Sequence, residues 1–177
     1  MSKKTITIGV TGSIAAYKAA DLTSRLKKLN YNVRVIMTES ATKLVTPLTF
    51  FTLAQTPVVT SLWDVPDWKP GHIGLADETD LFVVVPATAN FIGKYTNGIA
   101  DDALTTFALS YDGPVAVAPA MNPRMWSHPA VQHNIQLLKA RHVRVIEPAT
   151  GVVACGDSGT GKLECVEEIV KQIQTLV

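Results

Sequence analysis

The sequence predicts an α/β fold of the three-layer, doubly wound (Rossmann-like) type, in which helices cover both faces of a parallel sheet of about six strands. Two observations lead to this prediction. Short β-branched runs alternate along the chain with segments of helical periodicity, which is typical of successive βαβ units. Runs such as LFVVV and VAVA are apolar at every position, as expected of parallel strands that are buried on both faces.

The strand candidates, in chain order, are residues 5–10, 32–37, 57–59, 80–86, 114–119 and 143–148. The segments between them predict helices at about 14–29, 40–54, 101–111, 129–141 and 164–175, with Gly12, Ser13 and Asp101 at helix starts. We expect the strand order 3-2-1-4-5-6, with ligands bound at the carboxyl ends of the strands where the order reverses. The length of 177 residues, 47% of them hydrophobic, suits a single domain over 1–177.

Composition excludes several classes of function. Sixteen basic and 15 acidic residues leave a formal charge of +1, so nothing predicts a nucleic-acid partner. The first apolar run is too short for a signal peptide, and no apolar stretch reaches membrane-spanning length. Cys155 and Cys165 are interpreted as free thiols, and none of the four histidines has metal-ligand spacing with nearby cysteines. We therefore expect a cytoplasmic protein that binds neither a membrane nor a metal.

Residues 155–163, CGDSGTGKL, look like the phosphate-binding loop of a nucleotide triphosphatase. That loop needs Ser or Thr at its last position to ligate Mg²⁺, and Leu163 stands there instead. A phosphate loop also lies near the start of a long sheet, whereas here only 164–177 follow. We interpret the segment as a glycine-rich flap with an accessible thiol, Cys155, at its base. Cys165 is expected to be buried, because Ile169 and Ile173 share its face of a helix.

The loops that follow the first two strands favour a mononucleotide. Gly12 and Ser13 open a helix without the spacing of a dinucleotide fingerprint, so they are either a phosphate site or an ordinary capped turn. The second strand ends at Thr38 rather than at the acid that holds a ribose diol in NAD enzymes. FMN is therefore expected in preference to NAD.

The loops that follow the fourth and fifth predicted strands carry further polar groups. Thr88 and Asn90 either contact a ligand or cap a short helix, and the acids Asp101 and Asp102 are interpreted as a helix start rather than a catalytic pair. Asn122 lies in a loop stiffened by two prolines. This loop also contains Met121, Met125 and Trp126, which we interpret as pocket lining.

Five blocks together, GSIAAY, HIGLA, PATANFIGK, PAMNPRMW and ACGDSGTGKL, resemble the flavin-dependent cysteine decarboxylases, and the resemblance runs nearly end to end. It implies catalytic roles for His72 as a base, Asn122 as holder of the substrate carboxylate, and Cys155 as an acid. The residues that it implies for FMN are Gly12, Ser13, Ile14, Thr38, Thr88, Ala89, Asn90, Phe91 and Ala120, with only the backbone expected to contact flavin at Phe91. The residues that it implies for substrate are Asn122, Met125, Val152, Val153 and Ala154.

The resemblance further implies decarboxylation of 4'-phosphopantothenoylcysteine to 4'-phosphopantetheine in coenzyme A biosynthesis. In that chemistry the substrate's CH2–SH is oxidised to a thioaldehyde, CO2 is lost, and the enethiol is reduced again. A trimer or a dodecamer of trimers is implied, and the synthetase that supplies the substrate is expected to be a separate protein. The alternatives are a lantibiotic-type decarboxylase of C-terminal peptidyl cysteine, a non-catalytic flavin-binding regulator of a phosphatase, and a flavin prenyltransferase.

Overall fold

A six-stranded parallel sheet forms the centre of the computed structural model, which describes residues 3–63 and 71–177. The strands are Thr5–Val10 (β1), Asn32–Met37 (β2), Val58–Val59 (β3), Leu81–Ala87 (β4), Val115–Pro119 (β5) and Arg144–Val145 (β6). Their order is β3-β2-β1-β4-β5-β6, and each neighbouring pair is parallel. The predicted doubly wound order is therefore confirmed.

Helices cover both faces of this sheet. They are Ala16–Lys28 (α1), Glu39–Thr42 (α2), Pro47–Ala54 (α3), Gly71–Glu78 (α4), Ala89–Thr96 (α5), Ala103–Ser110 (α6), Pro123–Trp126 (α7), Pro129–Ala140 (α8) and Val166–Gln174 (α9). On one face α1 packs against α3 and α9, and on the other α6 packs against α4 and α5, with α8 against α5. The three-layer arrangement is thus confirmed.

The central strands are buried on both faces, as their continuous apolar sequence predicts. Every residue of β4 is buried: Val83 and Val85 face the α1 side, while Phe82 and Val84 face the α6 side. On the α6 side of β1, Gly9 leaves room for the neighbouring helix, because a Cβ there would lie 2.6 Å from Leu104 Cδ1. Tight packing of this kind holds the strand ends, and the loops that leave them, in fixed positions.

The predicted helix over 40–54 is wrong, because the structure has two helices in this region. Pro47 occupies the first position of α3. The ring of a proline disfavours helical backbone in the preceding residue, and Thr46 is accordingly extended, with φ −72° and ψ 145°. This break leaves the short helix α2 directly after the end of β2.

The predicted burial of Cys165 is also wrong. Cys165 is exposed and lies just before α9, with the extended φ of −65° and ψ of 147°. Its side chain therefore does not lie on the helix face formed by Val166, Ile169 and Ile173, which is buried. The periodicity argument fails because it extends the helix past its first residue.

The glycine-rich flap is an antiparallel hairpin of two strands, Ala149–Val152 (β7) and Ser158–Lys162 (β8). Residues 155–163 thus form the turn and second strand of a hairpin rather than a strand-to-helix phosphate loop. Of the helices in the described part of the chain, none combines the length and the apolar character that crossing a membrane requires.

Candidate active site

The loops that leave β1 and β4 are joined through the hydroxyl of Thr11, which is 1% exposed. This hydroxyl donates to the carbonyl of Pro86 at 2.6 Å and accepts from the N–H of Thr88 at 3.1 Å. A buried polar group with its hydrogen-bonding capacity used in this way specifies one loop conformation. The two loops therefore form one rigid rim at the carboxyl edge of the sheet.

A cavity of about 530 Å³, which we call the Thr88 cavity, opens at this rim. Its lining includes Thr11, Gly12, Thr38, Glu39, Ser40, Thr88, Ala89, Asn90, Phe91, Lys94, Asp101, Asp102, Thr105 and Met125. Six of the predicted cofactor residues are therefore gathered in one place: Gly12, Thr38, Thr88, Ala89, Asn90 and Phe91. Met125, predicted to touch substrate, lies here as well.

The hydrogen-bond donors of the Thr88 cavity suit an oxygen-rich anion such as a phosphate. Thr38 caps α2 by accepting from Ala41 N at 3.2 Å, and Thr88 caps α5 by accepting from Phe91 N at 3.3 Å. Capping uses a lone pair of each hydroxyl and leaves its proton free to be donated. Thr88 therefore caps a short helix, as one of its two sequence interpretations predicts, and this cap is compatible with ligand binding.

The charged residues that line the Thr88 cavity are three acids, Glu39, Asp101 and Asp102, and one base, Lys94. Lys94 is paired with Asp101 at 2.8 Å, and the N-cap of α6 is Asp102 rather than the predicted Asp101. Gly12 packs directly against Ser40, because a Cβ at residue 12 would clash with Ser40 Cβ. The free hydroxyl protons of Thr38 and Thr88, rather than the charges of the cavity, therefore fit the phosphate end of FMN.

A second cavity, of about 510 Å³, lies beside the flap, and we call it the Cys155 cavity. It is lined by Ser13, Ile14, Ala15, Tyr17, Lys18, Ala120, Met121, Asn122, Val152, Val153, Ala154, Cys155, Gly161, Lys162 and Leu163. Ser13, Ile14 and Ala120, the remaining predicted cofactor residues, thus lie with the predicted substrate residues. Gly12 and Ser13 are consecutive, so the loop between β1 and α1 contributes to both cavities.

Three polar side chains meet at the base of the flap. The Asn122 amide nitrogen lies 3.1 Å from Cys155 Sγ and 2.8 Å from Asp157 Oδ2, and its oxygen accepts from Arg124 N at 2.8 Å. The hydrogen bond from Asn122, and then the charge of Arg124, lower the pKa of Asp157, so this carboxyl is ionised at neutral pH. Both catalytic residues predicted here, Asn122 and Cys155, are therefore in contact.

Asp157 was not among the predicted site residues. The signal available in the sequence was its position two residues after Cys155, in ACGD. Its contact with Asn122 depends on the turn of the hairpin, where Gly156 has a positive φ of 88°. A fold-specific turn of this kind brings together residues 35 apart in the sequence, which spacing alone does not predict.

His72 lies apart from the other predicted catalytic residues. It is on α4 and lines a third cavity, of about 590 Å³, with mainly apolar neighbours that include Ile36, Leu75 and Phe107. Within one chain the structure therefore brings Asn122 and Cys155 together and does not bring His72 to them. Across residues 3–63 and 71–177, no cluster of three His, Cys, Asp or Glu side chains has the geometry to hold a metal ion.

Known proteins resemble this chain over most of its length. The model of the family described as Flavoprotein matches residues 1–177. The coenzyme A biosynthesis bifunctional protein CoaBC of Bacillus subtilis is 48% identical over 174 residues, which are 97% of this chain and 42% of that protein. The chain thus spans less than half the length of this relative. A probable phosphopantothenoylcysteine decarboxylase of Streptococcus mutans is 42% identical over 177 residues, 98% of each chain.

Solved structures share the fold. A cysteine-to-serine mutant of PPC decarboxylase, complexed with pantothenoylaminoethenethiol, has a TM-score of 0.87 and 27% identity, and 98% of both chains is covered. The FMN-dependent cysteine decarboxylase SpaF has a TM-score of 0.86 and 31% identity, again with 98% of both chains covered. The sequence and the fold thus point to the same group of relatives.

Proposed function

This chain belongs to the flavoprotein family, and we propose that it is an FMN-dependent carboxy-lyase that converts 4'-phosphopantothenoylcysteine to 4'-phosphopantetheine in coenzyme A biosynthesis. The observation that carries the proposal is the contact of the Asn122 amide with the Cys155 thiol, at 3.1 Å, in a cavity beside the flap. A carboxylate-binding amide and a proton-donating thiol in one cavity are the two groups that this reaction requires. The names of the relatives from Bacillus subtilis and Streptococcus mutans support the same pathway and substrate.

The cofactor in this proposal is held at the shared rim of the two cavities. Thr38, Thr88 and the start of α5 offer hydroxyl and N–H donors to the phosphate, while Ser13 and Ala120 lie on the side of the Cys155 cavity. When bound, FMN supplies a reversible two-electron acceptor for the CH2–SH group of the substrate. That oxidation places a C=S group next to the carbon that carries the carboxylate, where it can accept electrons.

Asn122 orients the carboxylate for departure. Its amide nitrogen, which in this structure donates to the Cys155 sulfur, can donate to the substrate carboxylate instead. An uncharged donor holds a carboxylate less tightly than an arginine would, so the ground-state anion is not trapped. Loss of CO2 breaks the C–C bond and leaves its electron pair in an enethiolate.

Cys155 completes the reaction by donating a proton. Its S–H bond breaks, and the proton forms the new C–H bond at the carbon that lost CO2; the sulfur then regains a proton from solvent. Cys155 is exposed in the free protein, so closure of the flap segment Val152–Cys155 over the substrate is needed to exclude water. The product regains the two electrons that the substrate gave up.

His72 is the active-site base in this proposal and acts in a site completed by a second copy of the chain. The separation of His72 from the Cys155 cavity within one chain supports this arrangement. The assembly is a homotrimer or a dodecamer of trimers, and the enzyme is cytoplasmic. Neither a membrane nor a nucleic acid is a partner, in keeping with a formal charge of +1.

An anaerobic assay of the yellow protein tests this function. We expect CO2 and phosphopantetheine in equal amounts from phosphopantothenoylcysteine, and little CO2 from a peptide that ends in cysteine. Faster turnover of the peptide would instead assign the chain to peptidyl cysteine decarboxylation, the activity named for the solved peptidyl-cysteine decarboxylase EpiD, which is 26% identical. A protein that stays colourless after incubation with excess FMN would refute the flavin-dependent mechanism as a whole.

A further inference from the structure

Asp157 is an ionised group of the flap that holds the Asn122 side chain. Its Oδ2 atom accepts from the Asn122 amide at 2.8 Å. The same amide nitrogen also donates to Cys155 Sγ at 3.1 Å, so one amide group contacts both a carboxylate and a thiol. Asn122 and Cys155 line the cavity in which the proposed reaction takes place.

The contacts of Asn122 fix the orientation of its amide. A carboxylate can only accept and a backbone N–H can only donate, so the Asn122 nitrogen must face Asp157 and its oxygen must face Arg124 N. One N–H of Asn122 is then held by Asp157, and the other is directed at Cys155, where a substrate carboxylate can replace the sulfur as acceptor. Without Asp157, a rotation of the amide by half a turn is opposed by the bond from Arg124 N but no longer by a carboxylate, and it would place an acceptor oxygen against the substrate carboxylate.

Asp157 is ionised and can therefore act only as an acceptor for Asn122. The hydrogen bond from Asn122, and then the charge of Arg124, whose Nε lies 3.9 Å from Oδ2, lower the pKa of this carboxyl.

We infer that Asp157 is a positioning residue of the decarboxylation site: it holds one N–H of Asn122 and so sets the orientation of the amide for the substrate carboxylate. The inference rests on the proposed function. A wild-type chain without turnover would refute that function, whereas wild-type turnover in a variant of Asp157 would refute the inference alone.

The variant Asp157→Asn keeps the shape of the side chain and removes its charge. The new amide can donate as well as accept, so the Asn122 amide is no longer held in one orientation from this side.

Asp112→Asn is the matched control, since it makes the same change at an exposed acid before β5, on the opposite edge of the sheet. It should leave kcat unchanged, and Asp157→Glu, which restores a carboxylate, should recover part of the kcat lost in Asp157→Asn.

Turnover of phosphopantothenoylcysteine separates positioning from folding. For Asp157→Asn we expect kcat to fall roughly 10- to 100-fold, because small displacements of reacting groups have effects of this size, with a much smaller change in KM. A wild-type kcat in Asp157→Asn would contradict the positioning role, and an equal fall in Asp112→Asn would show that the loss is not specific to this site.

Discussion

The backbone N–H of Met121 donates to the carbonyl of Gly161 at 2.9 Å, which ties the flap to the loop that carries Asn122. The Met121 carbonyl also lies close to Gly161, because a Cβ on Gly161 would lie 2.5 Å from the Met121 carbonyl oxygen. Gly161 also has φ 144°, a conformation that residues with a side chain rarely adopt. The position of the flap thus depends on a glycine at residue 161.

Gly161→Ala should displace the flap from Asn122 and lower kcat/KM for phosphopantothenoylcysteine roughly 10- to 100-fold, measured as CO2 release. Gly156→Ala is the matched control, because Gly156 also has a positive φ but no atom within 4 Å of the added Cβ. We expect a smaller loss there. Equal losses in the two variants would show that backbone conformation, rather than the contact with Met121, limits the flap.

Cys155→Ser should still release CO2 but should fail to form phosphopantetheine, since a serine hydroxyl is a much weaker acid than a thiol. Mass spectrometry of the product should find a species two hydrogens lighter than phosphopantetheine. A solved PPC decarboxylase carrying a cysteine-to-serine mutation is complexed with pantothenoylaminoethenethiol, which agrees with this expectation.

Cys165→Ser provides the control for that experiment, because Cys165 is exposed, lies before α9 and takes no part in the site. Cys165→Ser should give the same ratio of phosphopantetheine to CO2 as the wild type. A full yield of phosphopantetheine from Cys155→Ser would show that another group donates the proton.

Asn122→Asp should abolish decarboxylation at neutral pH, because it places a second carboxylate about 2.8 Å from Asp157 and directs negative charge at the substrate carboxylate. Two carboxyls this close raise the pKa of one of them, so part of the activity should return as the pH is lowered from about 8 to 5. The measurement is CO2 release against pH. A pH profile parallel to that of the wild type would contradict the assignment of Asn122.

Thr11→Val should lower the free energy of unfolding by about 1–3 kcal/mol, because the Pro86 carbonyl and the Thr88 N–H lose their buried partner. The same change should weaken FMN binding, since the rim of the Thr88 cavity loosens. Urea unfolding and flavin fluorescence measure the two effects. Thr52→Val, at an exposed hydroxyl bonded to Leu48 O, is the control, and comparable losses in both variants would refute the role of Thr11.

Protonation of Asp80 should make the fold less stable in acid. Its carboxylate accepts from Lys4 Nζ and from Thr5 N, both at 2.8 Å, and the bond from Lys4 and then that from Thr5 lower its pKa below 3.8. A lowered folded pKa means that this stabilisation is complete above the unfolded value and is lost as the pH falls through the folded value. In urea unfolding, the free energy of unfolding of Asp80→Asn should therefore be lower than that of the wild type at pH 7, and this difference should shrink as the pH falls below about 4.

Most of the fold follows from local sequence, because strands buried on both faces leave an unmistakable apolar run, as in Leu81–Ala87. The errors occur where one residue changes the backbone: Pro47 divides a predicted helix, and Cys165 lies outside a helix whose periodicity appeared to include it. These are questions of where an element ends, which periodicity does not determine.

The site was predictable to the extent that it lies at strand ends. Asn122, Thr88 and Gly12 follow β5, β4 and β1, so the topology alone places them at one edge of the sheet. Asp157 and His72 were less accessible to such reasoning. The first reaches Asn122 only through the hairpin turn, and the second lies on a short helix with a cavity of its own.

The loop between β1 and α1 links the two cavities, because its neighbouring residues Gly12 and Ser13 line different ones. A molecule bound on either side orders the same few peptide units, so whichever arrives second meets a loop whose conformational entropy has already been reduced. Thermodynamic linkage makes this effect reciprocal: the factor by which flavin tightens the binding of substrate equals the factor by which substrate tightens the binding of flavin.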